Sequence, residues 1–96
     1  MAEGHFGNFF WSIEREHENL RKHGVTFSEA VAAFLDPARK VFMDAKHSTW
    51  EGRFFCIGKV GDRVLTVRFI YRNGKIRIFG AGYWRKGRIH YEEKDA

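Results

Sequence analysis

Apolar residues at Phe27, Ala30, Val31, Phe34 and Leu35 follow the i, i+3, i+4, i+7, i+8 spacing of one helix face. Thr26 stands just before this run and Glu29 three residues later. In that capping-box pattern, hydroxyl and carboxylate reach the free N–H groups at a helix start. Asp36-Pro37 ends the helix, because the proline ring disfavours helical geometry in the residue before it. Upstream, Ser12 is positioned to cap a first helix over Ile13–His23. Glu14 and Glu16 fall in its first turn and Arg21, Lys22 and His23 in its last, an order that suits the helix dipole, and Gly24 supplies the stop. Only Ile13 and Leu20 give this helix an apolar stripe, so it is expected to lie on the surface.

Beyond Pro37 the period changes from 3.6 to two. Arg53–Val60, Arg63–Arg72 and residues 75–81 read as three strands, joined through Gly61-Asp62 and Asn73-Gly74. Asn-Gly is a strong hairpin signal, because both turn positions need positive φ. Residues 39–43 are expected to add a strand, residues 9–11 are aromatic and strand-like, and residues 84–93 fit a short last helix. The expected fold class is therefore α+β: two N-terminal helices, then an antiparallel β-sheet laid out as a meander. Residues 9–96 make one domain, and the Gly-containing stretch 1–8 is expected to fray.

Composition adds to this picture. The chain has 96 residues, of which 44% are apolar and ten are Phe, enough for one packed core without staples. Seventeen Lys and Arg against twelve Asp and Glu leave a net charge of +5, which favours polyanionic partners, nucleic acid first. The lone Cys56 sits in an apolar run and reads as a buried structural thiol. With no secretory leader pattern and no apolar stretch long enough to span a bilayer, a cytoplasmic protein is expected. His5, His17, His23, His47 and His90 are scattered without paired ligand spacing, so neither metal nor other cofactor is expected.

Strand parity then sorts the charges. Leu65, Val67, Phe69 and Tyr71 share the face taken as the core side. Arg68 and Arg72 share the other, and Lys75 and Arg77 share a parity on the next strand, so all four gather on one sheet face. Residues 81–91 add Tyr83, Trp84, Arg85, Lys86, Arg88, His90 and Tyr91. Basic residues interleaved with aromatics suit a phosphate backbone with stackable, unpaired bases. They equally suit a solvated sheet face covered by long basic stems. A second cluster, Asp44, His47, Ser48, Glu51 and Arg53, packs proton-transfer and phosphate-holding groups into ten residues. A loop network of salt bridges and turn hydrogen bonds uses the same residue types.

The order of these motifs resembles the BrnT toxin family. Residues 22–30, Lys-His-Gly-Val-Thr-Phe-Ser-Glu-Ala, are similar to its KHGVSFEEA signature, and Phe34-Leu35-Asp36-Pro37 follows as in the family. Asp44, His47-Ser48, Glu51 and Arg53 match a D-x-x-H-S-x-x-E-x-R segment, with Ile57-Gly58 in step. Arg72 and Ile76-Arg77-Ile78 match the closing hairpin, and Gly82 stands where many members carry Arg. The resemblance implies a RelE-like fold and a bacterial type II toxin that cleaves RNA and arrests translation. It also implies a cognate antitoxin that blocks the toxin in a 2:2 complex and binds operator DNA. Metal-independent RNA cleavage needs a base, an acid and phosphate-holding cations. Arg53, Arg68, Arg72 and Arg77 are the candidates for the phosphate, and Glu51, His47 or His23 for proton transfer. Lys22, Arg72, Lys75, Tyr83, Arg85, Lys86, Arg88 and Tyr91 are the candidates for holding RNA. Two rivals remain: a nucleic-acid-binding module without catalysis, and an interaction protein whose basic face meets an acidic partner.

Overall fold

The computed structural model describes residues 2–93. In chain order these form β1 (Glu3–Phe6), β2 (Phe9–Ser12), α1 (Ile13–His23), α2 (Phe27–Val31) with a 3₁₀ turn (Ala32–Leu35), β3 (Lys40–Met43), β4 (Arg53–Val60), β5 (Arg63–Arg72), β6 (Lys75–Gly82) and α3 (Arg85–Glu92). One six-stranded sheet has the order β1-β2-β6-β5-β4-β3. Strands β3 to β6 are the expected antiparallel meander. The sheet as a whole is mixed, because β2 lies parallel to β6, with Phe9 opposite Ile76 and Phe10 opposite Arg77. A third helix, α3, closes the chain. Glu3–Phe6, expected to fray, pairs antiparallel with β2 instead, through a turn at Gly7 with φ of 58°.

Local signals act where the sequence puts them. The Ser12 hydroxyl accepts from the Arg15 N–H, and Gly24 ends α1 at φ 71°. The Thr26 hydroxyl accepts from the Glu29 N–H, but the Glu29 carboxylate does not return the bond and takes the Tyr83 hydroxyl instead. The second helix is shorter than its apolar period predicts: α2 tightens into the 3₁₀ turn after Val31. Leu35, at the end of that period, is consequently 75% exposed. Asn73 and Gly74 both adopt positive φ, as the hairpin requires.

The core lies between the sheet and the α2 segment. Phe27, Val25, Leu65, Val67, Phe69 and Ile78 are fully enclosed there, and Phe34 meets Phe69 edge-on at 5.2 Å. Leu65, Val67 and Phe69 are on the expected core face, while Tyr71 at its end is 52% exposed and packs its edge against Phe54 and Phe69. The approach is close enough that a Cβ on Gly58 would fall 2.2 Å from the Ala33 carbonyl oxygen. Cys56 is buried beside Ala33, and burial pushes its thiol up to about 12, which makes it an inert core group.

Helix α1 is held by polar chemistry. Leu20 is 45% exposed, and Asn19 is buried. The Asn19 amide donates to the Val25 and Ala81 carbonyls, each at 2.9 Å, and accepts from the Ala81 N–H at 3.1 Å. Strand β2 pairs with β6 only at Ile76 and Arg77, so Asn19 supplies the hydrogen bonds that a longer β2 would give further along that edge. Glu16 adds a second tie. Its carboxylate accepts from the Trp11 indole and from the Phe27 N–H at the start of α2.

Candidate nucleic-acid interface

The sheet face away from α2 carries the charges. Cross-strand register arranges them in rows. Phe42, Phe55, Arg68 and Gly80 form one row; Arg53, Ile70 and Arg77, with Phe10 beyond, form the next; Arg72 and Lys75 form a third. The expected gathering of Arg68, Arg72, Lys75 and Arg77 on one face is therefore present, and Arg53 joins it. Ile70 lies on this face between Arg53 and Arg77 and is only 6% exposed. Between Arg68 and Phe69 the register slips: Phe69 faces Ile78 and Arg68 faces Gly80. Phe79 is the extra, bulged residue, and its ring sits under two guanidinium groups, 5.5 Å from Arg53 and 5.1 Å from Arg68.

Two adjoining clefts of about 200 Å³ each run over this surface. The first is lined by Glu51, Arg53, Arg72 and Arg77, and the second by Lys22, His23, Arg68 and Trp84. Arg15 and Phe79 belong to both and join them into one groove. Arg15 was missed in the sequence. Its signal was the helical period: Arg15, Asn19, Lys22 and His23 stand at i, i+4, i+7 and i+8 on α1, and Asn19 turns that side toward β6.

Several partners restrain the groove. Arg72 reaches both Glu51 oxygens, at 3.1 and 3.3 Å. Lys22 lies 3.3 Å from Glu18, whose carboxyl is held down at about 2, chiefly by the Arg21 hydrogen bond and then by Lys22. The His23 ring meets the Trp84 indole edge-on at 5.2 Å. Gly82 lies beneath Trp84: a Cβ there would fall 2.4 Å from the indole, so an arginine at this position and Trp84 in its present place exclude each other.

The remaining sequence candidates are spread more widely. His47 stands in the loop after β3, its Nδ1 2.8 Å from Asp44 Oδ2. Burial works against the Asp44 charge, but the His47 hydrogen bond and charge, a backbone N–H and Arg68 outweigh it, and the carboxyl lies below its ordinary range. His47 and Lys86 line a separate cavity beyond Trp84. Arg85 and Arg88 line another hollow with Tyr83, whose ring is covered by the Arg63 guanidinium at 3.7 Å. Burial and the Glu29 hydrogen bond push the Tyr83 hydroxyl up to about 12. Tyr91 donates to Asp36 Oδ2 at 2.6 Å and anchors α3. Lys75 lies at the opposite end, in a depression with Glu3, His5 and Phe10. Among the described residues no three His, Cys, Asp or Glu side chains gather as a metal-holding cluster. No helix among them is long and apolar enough to cross a membrane.

These features define a small α+β domain with an open groove, lined by several of its cationic groups, on one face of its sheet. The family described as the ribonuclease toxin, BrnT, of type II toxin–antitoxin systems matches residues 11–87, and the chain belongs to that family. Among curated proteins no significant match is found.

Proposed function

We propose that this protein is a cytoplasmic endoribonuclease toxin that cuts RNA without a metal, inhibits translation, and is neutralised by a cognate antitoxin. Family membership supports the ribonuclease class. The observation that carries the chemistry is the groove in which Arg53, Arg68 and Arg77 share one sheet face, with Glu51 at one end and His23 at the other.

The RNA supplies its own nucleophile. Its 2′-hydroxyl attacks the adjacent phosphorus, the bond to the 5′-oxygen breaks, and the products carry a 2′,3′-cyclic phosphate and a 5′-hydroxyl. Crowding charge on the phosphate needs preorganised cations, a role that suits the three arginines. Glu51 takes the 2′-hydroxyl proton once Arg72 shifts to the substrate, and His23 delivers a proton to the leaving oxygen. Each proton-transfer partner contributes roughly 10²–10⁴-fold. Phe79 supports the arginines from below, and Arg15 and Lys22 hold flanking phosphates. In this reading His47, paired with Asp44, stands outside the proton-transfer pair.

The test is cleavage of single-stranded RNA by purified protein in the presence of a chelator, with end-group analysis. Arg53→Ala, Arg68→Ala and Arg77→Ala are each expected to lower the rate by about 10²–10³-fold. Folded protein that shifts RNA on a gel and leaves it uncut would favour a binding module. Three arginine variants cutting at the wild-type rate would remove the sheet face from the mechanism. Induced expression without a partner is expected to arrest growth, with protein synthesis falling first.

A further inference from the structure

Beyond Trp84, on the same sheet face, a cavity of about 410 Å³ opens between β3, β4 and α3. Its walls are apolar and aromatic, with Phe42, Phe55 and Ile57 from the strands and Trp84 from the chain entering α3. The Phe42 ring lies 5.3 Å from Phe55 and 5.6 Å from His90. Phe55 is the cross-strand neighbour of Arg68, so the cavity begins one strand away from the guanidinium row. Trp84 lines both spaces and forms the wall between them.

Charge separates the rim from the interior. Lys46 and Lys86 stand at the edge, while Asp44, buried and bonded by His47, places a carboxylate against the cavity. A phosphate is attracted to the rim and repelled from the wall. A flat heteroaromatic ring with N–H donors finds stacking surface and an acceptor inside. An apolar protein anchor would use the aromatic walls but none of the lone pairs that His47 leaves free on that carboxylate.

We infer that this cavity holds one unpaired RNA base, that of a nucleotide next to the phosphate gripped by Arg53, Arg68 and Arg77. The inference rests on the RNA-cleaving reading and adds to it where sequence preference arises. The base stacks on the aromatic wall, Lys46 and Lys86 meet its neighbouring phosphates, and Trp84 fixes the step between base and scissile phosphate.

The experiment uses uncleavable 2′-O-methyl oligonucleotides in which each position in turn is made abasic, with binding to the full chain read by fluorescence anisotropy. One position is expected to weaken binding by roughly 5- to 150-fold, the range for loss of one base–aromatic stack. Ala45→Trp, an exposed loop residue at the cavity, fills the space, and Phe55→Ala removes a wall. In both variants that abasic penalty is expected to vanish. If the oligonucleotides bind and no position carries a penalty, or the penalty survives in Ala45→Trp, the base site is overturned and the ribonuclease reading stands. If Ala45→Trp abolishes antitoxin capture and leaves the penalty unchanged, the cavity is a protein anchor instead. If no oligonucleotide binds at all, both readings fall.

Discussion

Arg72 on β5 and Glu51 in the loop before β4 close an ion pair at 3.1 Å across the mouth of the groove. Their side chains are 41% and 25% exposed, so water screens the pair, and such pairs contribute at most about 1 kcal/mol. Its role is therefore positional. In the proposed mechanism it keeps a carboxylate beside Arg53 and Arg77 until a phosphate draws Arg72 away.

Glu51→Gln tests that role. The amide keeps the shape and loses the basic oxygen. Cleavage is expected to fall at least about 10²-fold, with RNA affinity unchanged or higher and melting temperature nearly constant. Arg72→Ala is expected to weaken RNA binding with a smaller loss of rate. Equal rates for Glu51→Gln and wild type would show that another group takes the proton.

Asn19 is the stability counterpart. Asn19→Leu is close in size but leaves the Ala81 N–H and the Ala81 and Val25 carbonyls without their partner. Each orphaned buried group costs roughly 1–3 kcal/mol, so the melting temperature is expected to fall by many degrees. Because α1 also carries Arg15, Lys22 and His23, cleavage is expected to fall in protein that remains folded. A melting temperature within a degree or two of wild type would show that α1 is held by other contacts.

Gly82→Arg installs the residue that the sequence motif sets at this position. No side chain fits there while Trp84 holds its place. Overpacking of this kind costs typically about 1–3 kcal/mol, and displacing Trp84 also opens the wall between the two cavities. Lower melting temperature and no gain in cleavage are expected. Unchanged stability with faster cleavage would show that the groove accommodates a further cation there.

Asp36 gives a pH signature. Its carboxylate accepts from the Lys59 N–H at 2.7 Å, the Tyr91 hydroxyl at 2.6 Å and the Ala38 N–H at 2.8 Å, tying the 3₁₀ turn to β4 and α3. These bonds, the Lys59 one foremost, hold its pKa below the ordinary 3.8. A lowered folded pKa adds stability that is complete above the unfolded value and is lost as pH falls through the folded one. Asp36→Asn is therefore expected to be less stable than wild type at neutral pH, with the gap closing below about pH 4. A constant gap from pH 7 to pH 2.5 in thermal melts would contradict this linkage.

What the sequence made legible was local. The Ser12 cap, the Gly24 stop and the Asn73-Gly74 hairpin depend on residues a few positions apart, and each acts as read, whereas Thr26 caps α2 without the Glu29 half of its box and the core face of β5 holds from Leu65 to Phe69 but not at Tyr71. The parallel pairing of β2 with β6 joins residues 9–10 to 76–77, and no local pattern encodes it. That pairing sets α1 beside β6, so the roles of Asn19 and Arg15 were hidden with it. The same holds for the site. Parity gave Arg68, Arg72, Lys75 and Arg77, whereas the bulge that brings Phe79 beneath Arg53 and Arg68 arises from pairing geometry. Tyr83 and Tyr91 looked like stacking residues in the chain, yet in three dimensions their hydroxyls are committed to Glu29 and Asp36.

The last prediction concerns the antitoxin. In the proposed reading the groove that carries Arg15, Arg53, Arg68 and Arg77 cuts the RNA of the cell that makes this protein, and covering it is the most direct way to silence it. A partner that does so must present carboxylates to the guanidinium row. Association is then electrostatically steered, and the on-rate is expected to fall as salt rises through the range where the Debye length shortens from about 10 to 3 Å. Dissociation is expected to depend less on salt, because apolar anchors near the groove, Phe79 and Trp84 among them, stay desolvated in the complex. Co-expression with the neighbouring open reading frame, followed by capture of this chain, tests whether such a partner exists. Arg53→Ala and Arg77→Ala test where it binds: both are expected to weaken cleavage and antitoxin affinity together. Cleavage lost with partner affinity intact would mean that the antitoxin seats elsewhere and acts by displacing part of the groove, with α1 the element to follow, since Asn19 is its main polar tie to β6.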